Sequence, residues 1–422
     1  MISSSKKTER CILIGLVRFD QSRWAVEDHL KELKLLTATS GAEVIDSFIQ
    51  KRAAPDAAYF IGKGKVEELS FFIEAHEIDT IIFDDELSPA QMRNIERLLE
   101  RKVIDRSALI LDIFARHARS REAKVQVELA QLNYLLPRLT RQWQHLSRQV
   151  GGIGTKGPGE TQLETDRRLV RKRIAHLKSR LERIANQKHI QRRQRRTLFK
   201  AALIGYTNAG KSTLLNTLSN AHIFTEDKLF ATLDTTVRRV SLDQNSMILL
   251  SDTVGFIRKL PHHLVASFRT TLAETVEADL LIHVVDLSHP NYEEHIRVVN
   301  QILADLHLAE KDVLLVFNKV DLIDKTSLLK RLHLVYPDAV FISAARHLGI
   351  KTLKKHIRHF LQEQYVTEVL KLNYDHGGLE HKIQLLASIL DRKYDEHNFY
   401  LTVKYARENK SKIQRILKKY IE

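Results

Sequence analysis

Short apolar runs alternate with amphipathic stretches over most of this chain, and in the first 115 residues that alternation predicts an α/β domain. Gly62-Lys63-Gly64-Lys65 opens one predicted helix, where an anion-binding helix start and a plain turn with exposed lysines fit equally well. The expected strands are Cys11 to Val17, Ala42 to Ile49 and Thr80 to Phe83; the expected helices are Trp24 to Leu36, Lys65 to His76 and Pro89 to Leu99; and Ala108 to Phe114 fits either a last strand or a helix start.

Two helices in the next part of the chain carry apolar residues at steps of four and three, which is typical of a helical hairpin. Pro137 should kink or interrupt the first of them. Between the helices, residues 149–160 hold five of the chain's 15 glycines, so we expect a loop there. The two apolar stripes are Val125, Leu129, Leu132, Leu136 and Leu139, and Val170, Ile174, Leu177, Leu181 and Ile184.

Residues 198–364 return to alternating strands and helices, which predicts a doubly wound α/β sheet. A small C-terminal α/β domain is expected over 365–422, which leaves 1–115 and the hairpin at 116–197 as the other two domains. The predicted strands of the third domain are Ala201 to Ile204, Ser246 to Ser251, Asp279 to Asp286, Val313 to Phe317 and Ala339 to Ile342; the last domain is expected to hold a helix at Lys382 to Leu390, a strand at Asn398 to Val403 and a helix at Glu408 to Tyr420.

A phosphate-binding loop follows the first strand of the third domain. Glycines at both ends let the backbone curl and direct its N–H groups at phosphate oxygens, while Lys211 reaches the β and γ phosphates and Ser212 holds Mg²⁺. The motif is Gly205-Tyr206-Thr207-Asn208-Ala209-Gly210-Lys211-Ser212. This chain is therefore predicted to bind a nucleoside triphosphate.

Three further motifs follow strand ends in an order that identifies the nucleotide. Asp252 is placed to hold the Mg²⁺ shell and the Gly255 amide to meet the γ-phosphate. Asp321 offers two acceptors to the ring N–H and exocyclic amine of guanine, which adenine cannot match. The motifs are Asp252-Thr253-Val254-Gly255, Asn318-Lys319-Val320-Asp321 and Ser343-Ala344-Ala345. The predicted ligand is GTP, with GDP as product.

The chain's formal charge of +15 is concentrated in one segment. Between Arg116 and Lys200 there are 22 Lys and Arg against 6 Asp and Glu, so the remainder is about neutral. A flexible connector is one interpretation of the glycine-rich loop, but so large a positive surface favours folded RNA. The residues expected to contact RNA are Arg148, Gly151, Gly152, Gly154, Lys156, Gly157 and Gly159.

Composition excludes several other classes of protein. The single cysteine, Cys11, excludes an internal disulfide and a thiolate zinc site, and we expect it to be buried. No apolar run reaches the about 20 residues of a membrane span, and the polar start lacks a signal-peptide core. A monomeric, soluble, cytoplasmic protein is expected.

The chain closely resembles the HflX family of translational GTPases over most of its length. The residues that carry the resemblance are Gly152 to Glu164 (GIGTKGPGETQLE), Phe83 to Gln91, Asp105-Arg106 with Leu109 to Phe114, and Phe230-Ala231-Thr232-Leu233-Asp234. The resemblance implies binding to the large ribosomal subunit and its RNA, with the hairpin loop near the peptidyl-transferase region, and separation of stalled or idle ribosomes into subunits. It also implies a second nucleotide-binding activity, with ATP as the candidate ligand, in the first domain.

The same resemblance selects Thr232, rather than Thr235 or Thr236, as the switch hydroxyl that binds Mg²⁺. Lys211, Thr232 and Gly255 are then the catalytic group, and residues 230–234 join the nucleotide site. Thr235 stands where many members have Pro, which suggests a less rigid switch. Ser343-Ala344 is followed by Ala345-Arg346, whereas in the family this element usually continues with Lys.

Phe256 occupies the position after Asp-x-x-Gly, where Ras-like enzymes have a glutamine that orients water. We therefore expect slow intrinsic GTP hydrolysis that the ribosome stimulates. Two alternatives stay open: a GTP-dependent RNA-modifying enzyme, which should carry a catalytic Cys or a cofactor motif, and a ribosome-assembly GTPase acting on subunit precursors.

Overall fold

The computed structural model describes residues 8–139, 158–193, 199–219, 230, 235–243, 246–259, 273–323, 326–373, 378–384, 386–395 and 398–421. Within these ranges, no helix is both long enough and apolar enough to cross a membrane. The described residues form three separate sheets and a helical hairpin, so the predicted multidomain α/β architecture is confirmed.

A four-stranded parallel sheet of order β2-β1-β3-β4 forms the N-terminal domain. Apolar β1 and β3 lie at its centre because their side chains are buried on both faces. The strands are β1 (Arg10–Val17), β2 (Glu43–Lys51), β3 (Thr80–Phe83) and β4 (Lys102–Asp105), and the helices are α1 (Arg23–Thr39), α2 (Lys63–Ala75), α3 (Pro89–Leu99) and α4 (Arg106–His117).

The last strand of this sheet was not predicted. Residues 108–114 form part of helix α4, and the edge strand β4 precedes them. Asp105 ends β4 and caps α4, its carboxylate accepting a hydrogen bond from the Ala108 amide at 2.9 Å. A strand of four residues that runs straight into a helix leaves no turn signal in the sequence. Cys11 is buried as expected, and burial raises the pKa of its thiol to about 12.

Two helices, α5 (Arg121–Leu135) and α6 (Pro158–Arg193), form the predicted hairpin. Their shared core contains eight of the ten predicted stripe residues, while Leu139 and Ile184 are half-buried outside it. Helix α5 ends just before Pro137, as expected. One boundary is wrong: the loop was predicted over 149–160, but α6 begins at Pro158, because proline's fixed φ suits the first turn of a helix. The buried contacts are Val125, Leu129, Ile174, Leu177 and Leu181, with Leu132, Leu136 and Val170 half-buried beside them.

The six-stranded central sheet has the order β10-β9-β8-β5-β7-β6. All its pairings are parallel except β6 with β7, so the sheet is mixed. Its strands are β5 (Lys200–Gly205), β6 (Thr236–Ser241), β7 (Met247–Asp252), β8 (Leu280–Asp286), β9 (Val313–Asn318) and β10 (Val340–Phe341); its helices are α7 (Lys211–Ser219), α8 (Ala273–Glu277), α9 (Tyr292–Asp305), α10 (Thr326–Val335) and α11 (Ile350–Gln364).

The C-terminal sheet is antiparallel, of order β11-β13-β12. The helix expected at 382–390 is wrong at its second half, because Ser388 onward is paired with β13 as an outer strand. A strand before it was also missed. The elements are β11 (Tyr365–Asn373), α12 (Gly378–Gln384), β12 (Ser388–Tyr394), β13 (Asn398–Ala406) and α13 (Lys410–Ile421).

Candidate nucleotide site

The phosphate loop joins β5 to α7 at the carboxyl edge of the central sheet. Gly205 has a φ of +145° and Gly210 a φ of +89°, values that L side chains rarely adopt. A Cβ on Gly210 would clash with the Nδ2 atom of Asn318, and one on Gly205 would clash with the Val284 carbonyl. Both glycines are therefore required by the path of the loop. Asn208 also adopts a positive φ, of 60°.

Lys211 begins α7 and is 6 % exposed. Its Nζ donates hydrogen bonds to the carbonyls of Gly205 at 3.0 Å and Tyr206 at 2.7 Å. Burial lowers the pKa of Lys211 to about 8, although nearby Asp252 opposes that effect. A buried ammonium turned onto its own loop is poised to exchange those carbonyls for phosphate oxygens.

Ser212 and Asp252 meet beside this lysine. The Ser212 hydroxyl donates to Asp252 Oδ2 at 2.6 Å, across the β5–β7 neighbourhood of the sheet. A hydroxyl and a carboxylate in contact are the hard oxygen ligands that Mg²⁺ accepts with one or two protein groups and several waters. The donor set therefore fits the ion that the motif implies.

The segment after Asp252 packs against the phosphate loop. The Phe256 amide donates to the Gly205 carbonyl at 3.0 Å, and the Thr207 amide donates to the Phe256 carbonyl at 2.8 Å. A Cβ on Gly255 would lie 2.8 Å from Thr207 Cα and 3.1 Å from Lys211 Nζ. Only glycine allows this approach, so the predicted γ-phosphate sensor lies directly on the loop it would read.

The Phe256 ring points away from the loop. It is 3 % exposed and packs with Ile204, Leu281 and Val299 in the core between the central sheet and α9. Its side chain cannot reach a water at the loop in this arrangement.

Asn318 joins the two ends of the site. Its amide donates to the Ala209 carbonyl at 2.9 Å, while its side-chain oxygen accepts from the Ala344 amide at 3.0 Å. The loop after β9 is thereby fixed to the phosphate loop and to the segment after β10. Asp321 follows in a short 3-10 helix, Val320–Leu322, with an exposed side chain.

Lys319 and Ser343 complete this end of the site. Lys319 adopts a φ of 62° and forms an ion pair of 2.7 Å with Asp286. Ser343 is buried, and its hydroxyl accepts from the Arg346 amide at 3.1 Å, which folds Ala344 and Ala345 into a turn. The structure thus brings together the predicted residues of 205–212, 252–255, 318–321 and 343–345.

Tyr206 carries its side chain out of the phosphate loop and into the N-terminal domain. Its hydroxyl donates to Glu32 Oε2 of α1, and its ring stacks on His295 with centroids 3.8 Å apart. Arg258, three residues after Gly255, shares the same carboxylate at 3.2 Å and also binds Asp28 at 2.9 Å. We call residues 252–259 the switch segment. The phosphate loop and the switch segment therefore meet at one glutamate of another domain.

A second layer of ion pairs supports this junction. Arg106 is 2 % exposed and binds both Glu32 and, at 2.7 Å, Asp84. Lys259 pairs with Asp84 and, at 2.8 Å, with Asp85. Burial opposes ionisation of Asp84, but Arg106 and Lys259 outweigh it and hold its pKa at about 2. Asp84 and Asp85 therefore anchor the switch segment to the N-terminal domain.

Sequence reasoning missed this junction because its members are up to 230 residues apart. The sequence signal was an Arg-Lys pair, Arg258-Lys259, separated from Asp-x-x-Gly-Phe by one residue. Phe230 also reaches the N-terminal domain: its buried ring lies edge-on to Phe114, with centroids 4.6 Å apart. Its predicted role in nucleotide binding remains a prediction, since this side chain faces the interface.

Several predicted residues lie outside the described part of the chain. They are the switch residues Ala231, Thr232, Leu233 and Asp234, and the RNA-contact residues Arg148, Gly151, Gly152, Gly154, Lys156 and Gly157. Gly159 is described and belongs to the first turn of α6.

Three family profiles match consecutive parts of the chain. Residues 27–115 match the GTP-binding GTPase N-terminal family, residues 117–195 the GTP-binding GTPase middle region, and residues 200–319 the 50S ribosome-binding GTPase family. A solved GTP-binding protein from the hyperthermophilic archaeon Sulfolobus solfataricus, in complex with GDP, is 26 % identical and aligns with 84 % of this chain and 99 % of its own, at a TM-score of 0.44.

Relatives named GTPase HflX match over about three quarters of the chain or more. The GTPase HflX of Caldanaerobacter subterraneus subsp. tengcongensis is 41 % identical over 98 % of this chain and 95 % of its own. The GTPase HflX of Escherichia coli K12 is 44 % identical over 90 % and 89 %, and that of Flavobacterium psychrophilum is 53 % identical over 74 % and 76 %. With the phosphate loop, the guanine motif and all three matched regions in place, this chain belongs to the HflX family of GTPases, with a ribosome-binding GTPase domain.

Proposed function

We propose that this GTPase binds the large ribosomal subunit and uses its GTP state to split stalled or idle ribosomes into subunits, with the ribosome accelerating hydrolysis. The observation that carries the proposal is the burial of Phe256 in the domain core. Because this side chain cannot orient water, the enzyme lacks a water-positioning group at the position where Ras-like enzymes keep one. A partner that completes the site would then control turnover.

In this mechanism the chain's own groups bind and orient the triphosphate. Backbone amides of 205–212 cradle the phosphates, Lys211 neutralises the β and γ oxygens, and the Gly255 amide reads the γ-phosphate. Ser212, Thr232 and the Asp252 shell would hold Mg²⁺, which supplies charge neutralisation between the β and γ phosphates. Thr232 and Gly255 would be drawn inward by GTP and released after hydrolysis.

Asp321 would select guanine through its two carboxylate acceptors. Its exposed side chain, beside the fixed Asn318, is free to meet the base edge. Replacing Asp321 by Asn should shift preference from GTP toward xanthosine triphosphate, because an amide presents a donor to the new ring carbonyl. Unchanged preference in a competition assay would refute this assignment.

The basic hairpin would supply the ribosome contact. Its described helix α6 carries exposed arginines and lysines opposite a buried apolar stripe, so its charge is available to phosphate backbone. The division of the chain into 1–115, 116–197, 198–364 and 365–422 is part of this proposal, with the hairpin acting as the ribosome-binding domain.

Sedimentation of mature ribosomes with the protein and GTP, a slow GTP analogue or GDP tests the splitting function. Subunit release with GTP or its analogue, but not GDP, is the expected result. Binding confined to subunit precursors, with mature ribosomes intact, would support the assembly alternative. The rate of GTP hydrolysis, measured with and without large subunits, tests whether the ribosome accelerates hydrolysis. Equal rates would contradict that part of the proposal.

A further inference from the structure

The C-terminal sheet has a face that its own helices leave uncovered. Helices α12 and α13 both pack on one side of the sheet, where their apolar residues meet those of the strands. That buried side comprises Leu370, Leu372, Phe399, Leu401 and Val403 of the strands, Leu379 and Ile383 of α12, and Ile413 of α13. Strand residues alternate between the two faces, so the residues between them point the other way.

The order of elements is strand, helix, strand, strand, helix, with β13 in the middle of the sheet. This corresponds to five of the six elements of the ferredoxin-like β-α-β-β-α-β arrangement, in which both helices also cover one face. RNA-recognition motifs share that layout and stack bases on aromatic residues of the open face. The analogy concerns the fold alone, and the argument for a ligand must come from the residues.

Tyr400 lies on the middle strand of the open face and is half-buried. It lies on β13 between buried Phe399 and buried Leu401, which places its ring on the side away from the helices. In the strand register Tyr400 pairs with Lys371 of β11 on one side and with Lys393 of β12 on the other. Both lysines are exposed. Strand spacing puts each lysine backbone about 5 Å from that of the tyrosine.

The neighbouring rows continue the same surface. Val369, Thr402 and Asp391 form the next row, in which Val369 is 61 % exposed. At the far end, Lys404 Nζ lies 5.1 Å from the centre of the Tyr365 ring, which in turn contacts Phe199 of the central domain. Among the residues that the structure describes, the open face is thus bounded by the central domain at the Tyr365 end, while Lys371 and Lys393 beside Tyr400 are exposed.

We propose that this open face binds a short stretch of unpaired RNA, with a base stacked on Tyr400 and phosphates held by Lys371 and Lys393. An aromatic ring between two cations matches the chemistry of a single strand, since every base has a face to stack and every nucleotide a negative charge. A duplex hides its bases and would gain only the charge contacts. The site is distinct from the basic hairpin and does not depend on ribosome splitting.

Photocrosslinking on the full-length protein tests the proposal, because it locates bound RNA even where the hairpin also binds. The probe is an unstructured 4-thiouridine-containing oligonucleotide of about 12 nucleotides, and crosslinked peptides are mapped by mass spectrometry. We expect crosslinks within 365–405, with a yield there that falls by about 5- to 100-fold in Tyr400→Ala, as expected for loss of one stacked base. Tyr400→Phe should retain most of the yield.

Two further variants separate stacking, charge and misfolding. Tyr394→Ala is the matched control, because Tyr394 is 66 % exposed on the adjacent strand but pairs with Phe399, on the opposite face. It should leave the yield unchanged. Lys371→Gln with Lys393→Gln should lower the yield and reduce its dependence on salt while leaving the ring in place. Circular dichroism verifies folding of each variant.

The proposal is overturned by crosslinks confined to the hairpin, by equal losses in Tyr400→Ala and Tyr394→Ala, or by equal crosslinking of a duplex of the same length. Displacement of the RNA by an acidic peptide but not by a second unlabelled single strand would assign the face to a protein instead. None of these outcomes bears on the sedimentation assay, so the two proposals fail separately.

Discussion

Replacing Arg258 by Met should loosen the contact between the N-terminal domain and the nucleotide site. The guanidinium is 6 % exposed and joins the switch segment to Asp28 and Glu32 of α1. Methionine keeps much of the side-chain length but removes the charge. The variant therefore leaves two carboxylates at the interface short of their cation.

The size of the effect follows from what remains around those carboxylates. Breaking a buried ion pair by removing one partner costs about 3–5 kcal/mol. Here Glu32 keeps Arg106, and Asp28 keeps a hydrogen bond of 2.7 Å from Asn291, so the lower end of that range applies. The third partner, Glu294, is 31 % exposed and contributes little. We expect a loss of about 3 kcal/mol.

Native-state amide exchange measures this loss where it occurs. Undocking exposes helix α1, residues 23–39, so its interface amides should exchange about 100-fold faster in Arg258→Met, the factor that about 3 kcal/mol represents. Amides at the centre of β1 should keep their protection, because the N-terminal domain stays folded. A single unfolding midpoint would be less informative in a chain of several domains.

Arg331→Met is the matched control. Arg331 also pairs with a glutamate, Glu293, at 3.4 Å, but its side chain is 65 % exposed, so the change should cost at most about 1 kcal/mol. If α1 exchanges no faster in Arg258→Met than in Arg331→Met, the buried network does not hold the domains together, and our account of the junction is wrong.

Three further predictions concern the nucleotide site. Nucleotide phosphates favour the charged form of Lys211, whose pKa is about 8 without them. The affinity for GTP should therefore be constant below pH 8 and fall by up to about tenfold per pH unit above it, and calorimetry in two buffers should detect proton uptake on binding. Constant affinity up to about pH 9 would contradict the assignment of Lys211 to the phosphates. Burial, with a smaller contribution from nearby positive charge, lowers the pKa of His283 to about 3 and of His295 to about 4. As the pH falls, the unfolded chain therefore binds these protons before the folded chain does, so the free energy of unfolding should fall below about pH 6.5, by up to about 1.4 kcal/mol per pH unit for each histidine. The fall should be shallower in His295→Phe. Gly210→Ala should abolish measurable GTP and GDP binding while circular dichroism shows that the fold persists. The new Cβ would clash with Asn318, and the φ of +89° at this position is one that L side chains rarely adopt. Retained affinity would mean that the phosphate loop can move to accommodate the methyl group.

The nucleotide site was largely predictable because its residues are consecutive and lie at strand ends. In a parallel sheet the carboxyl ends of neighbouring strands share one edge, so motifs at 205–212, 252–255 and 318–321 had to meet once the strands were placed. The hairpin was predictable for a similar reason, since its periodic apolar stripe is a local pattern.

The secondary-structure predictions were wrong where the local sequence pattern and the tertiary structure disagree. Residues 388–394 were assigned in part to a helix, but pairing with β13 makes them a strand, and a β-bulge at Leu390 disturbs the alternation that would have shown it. Strand β6 was absent from the prediction because it is an antiparallel edge strand whose residues are mostly half-buried or exposed. Neither carries the continuous apolar run that marks a central strand.

The contacts of Glu32 join residues that are far apart in sequence, so no local pattern could reveal them. These contacts connect the N-terminal domain to the nucleotide site. One carboxylate accepts from Tyr206 in the phosphate loop and from Arg258 in the switch segment, while Arg106 holds it from behind. A nucleotide state that moved Arg258 together with Gly255, three residues earlier, would change the docking of α1. By linkage, domain docking must change nucleotide affinity by the same free energy. In that case the N-terminal domain is coupled to the nucleotide site through Glu32, which contacts both the phosphate loop and the switch segment.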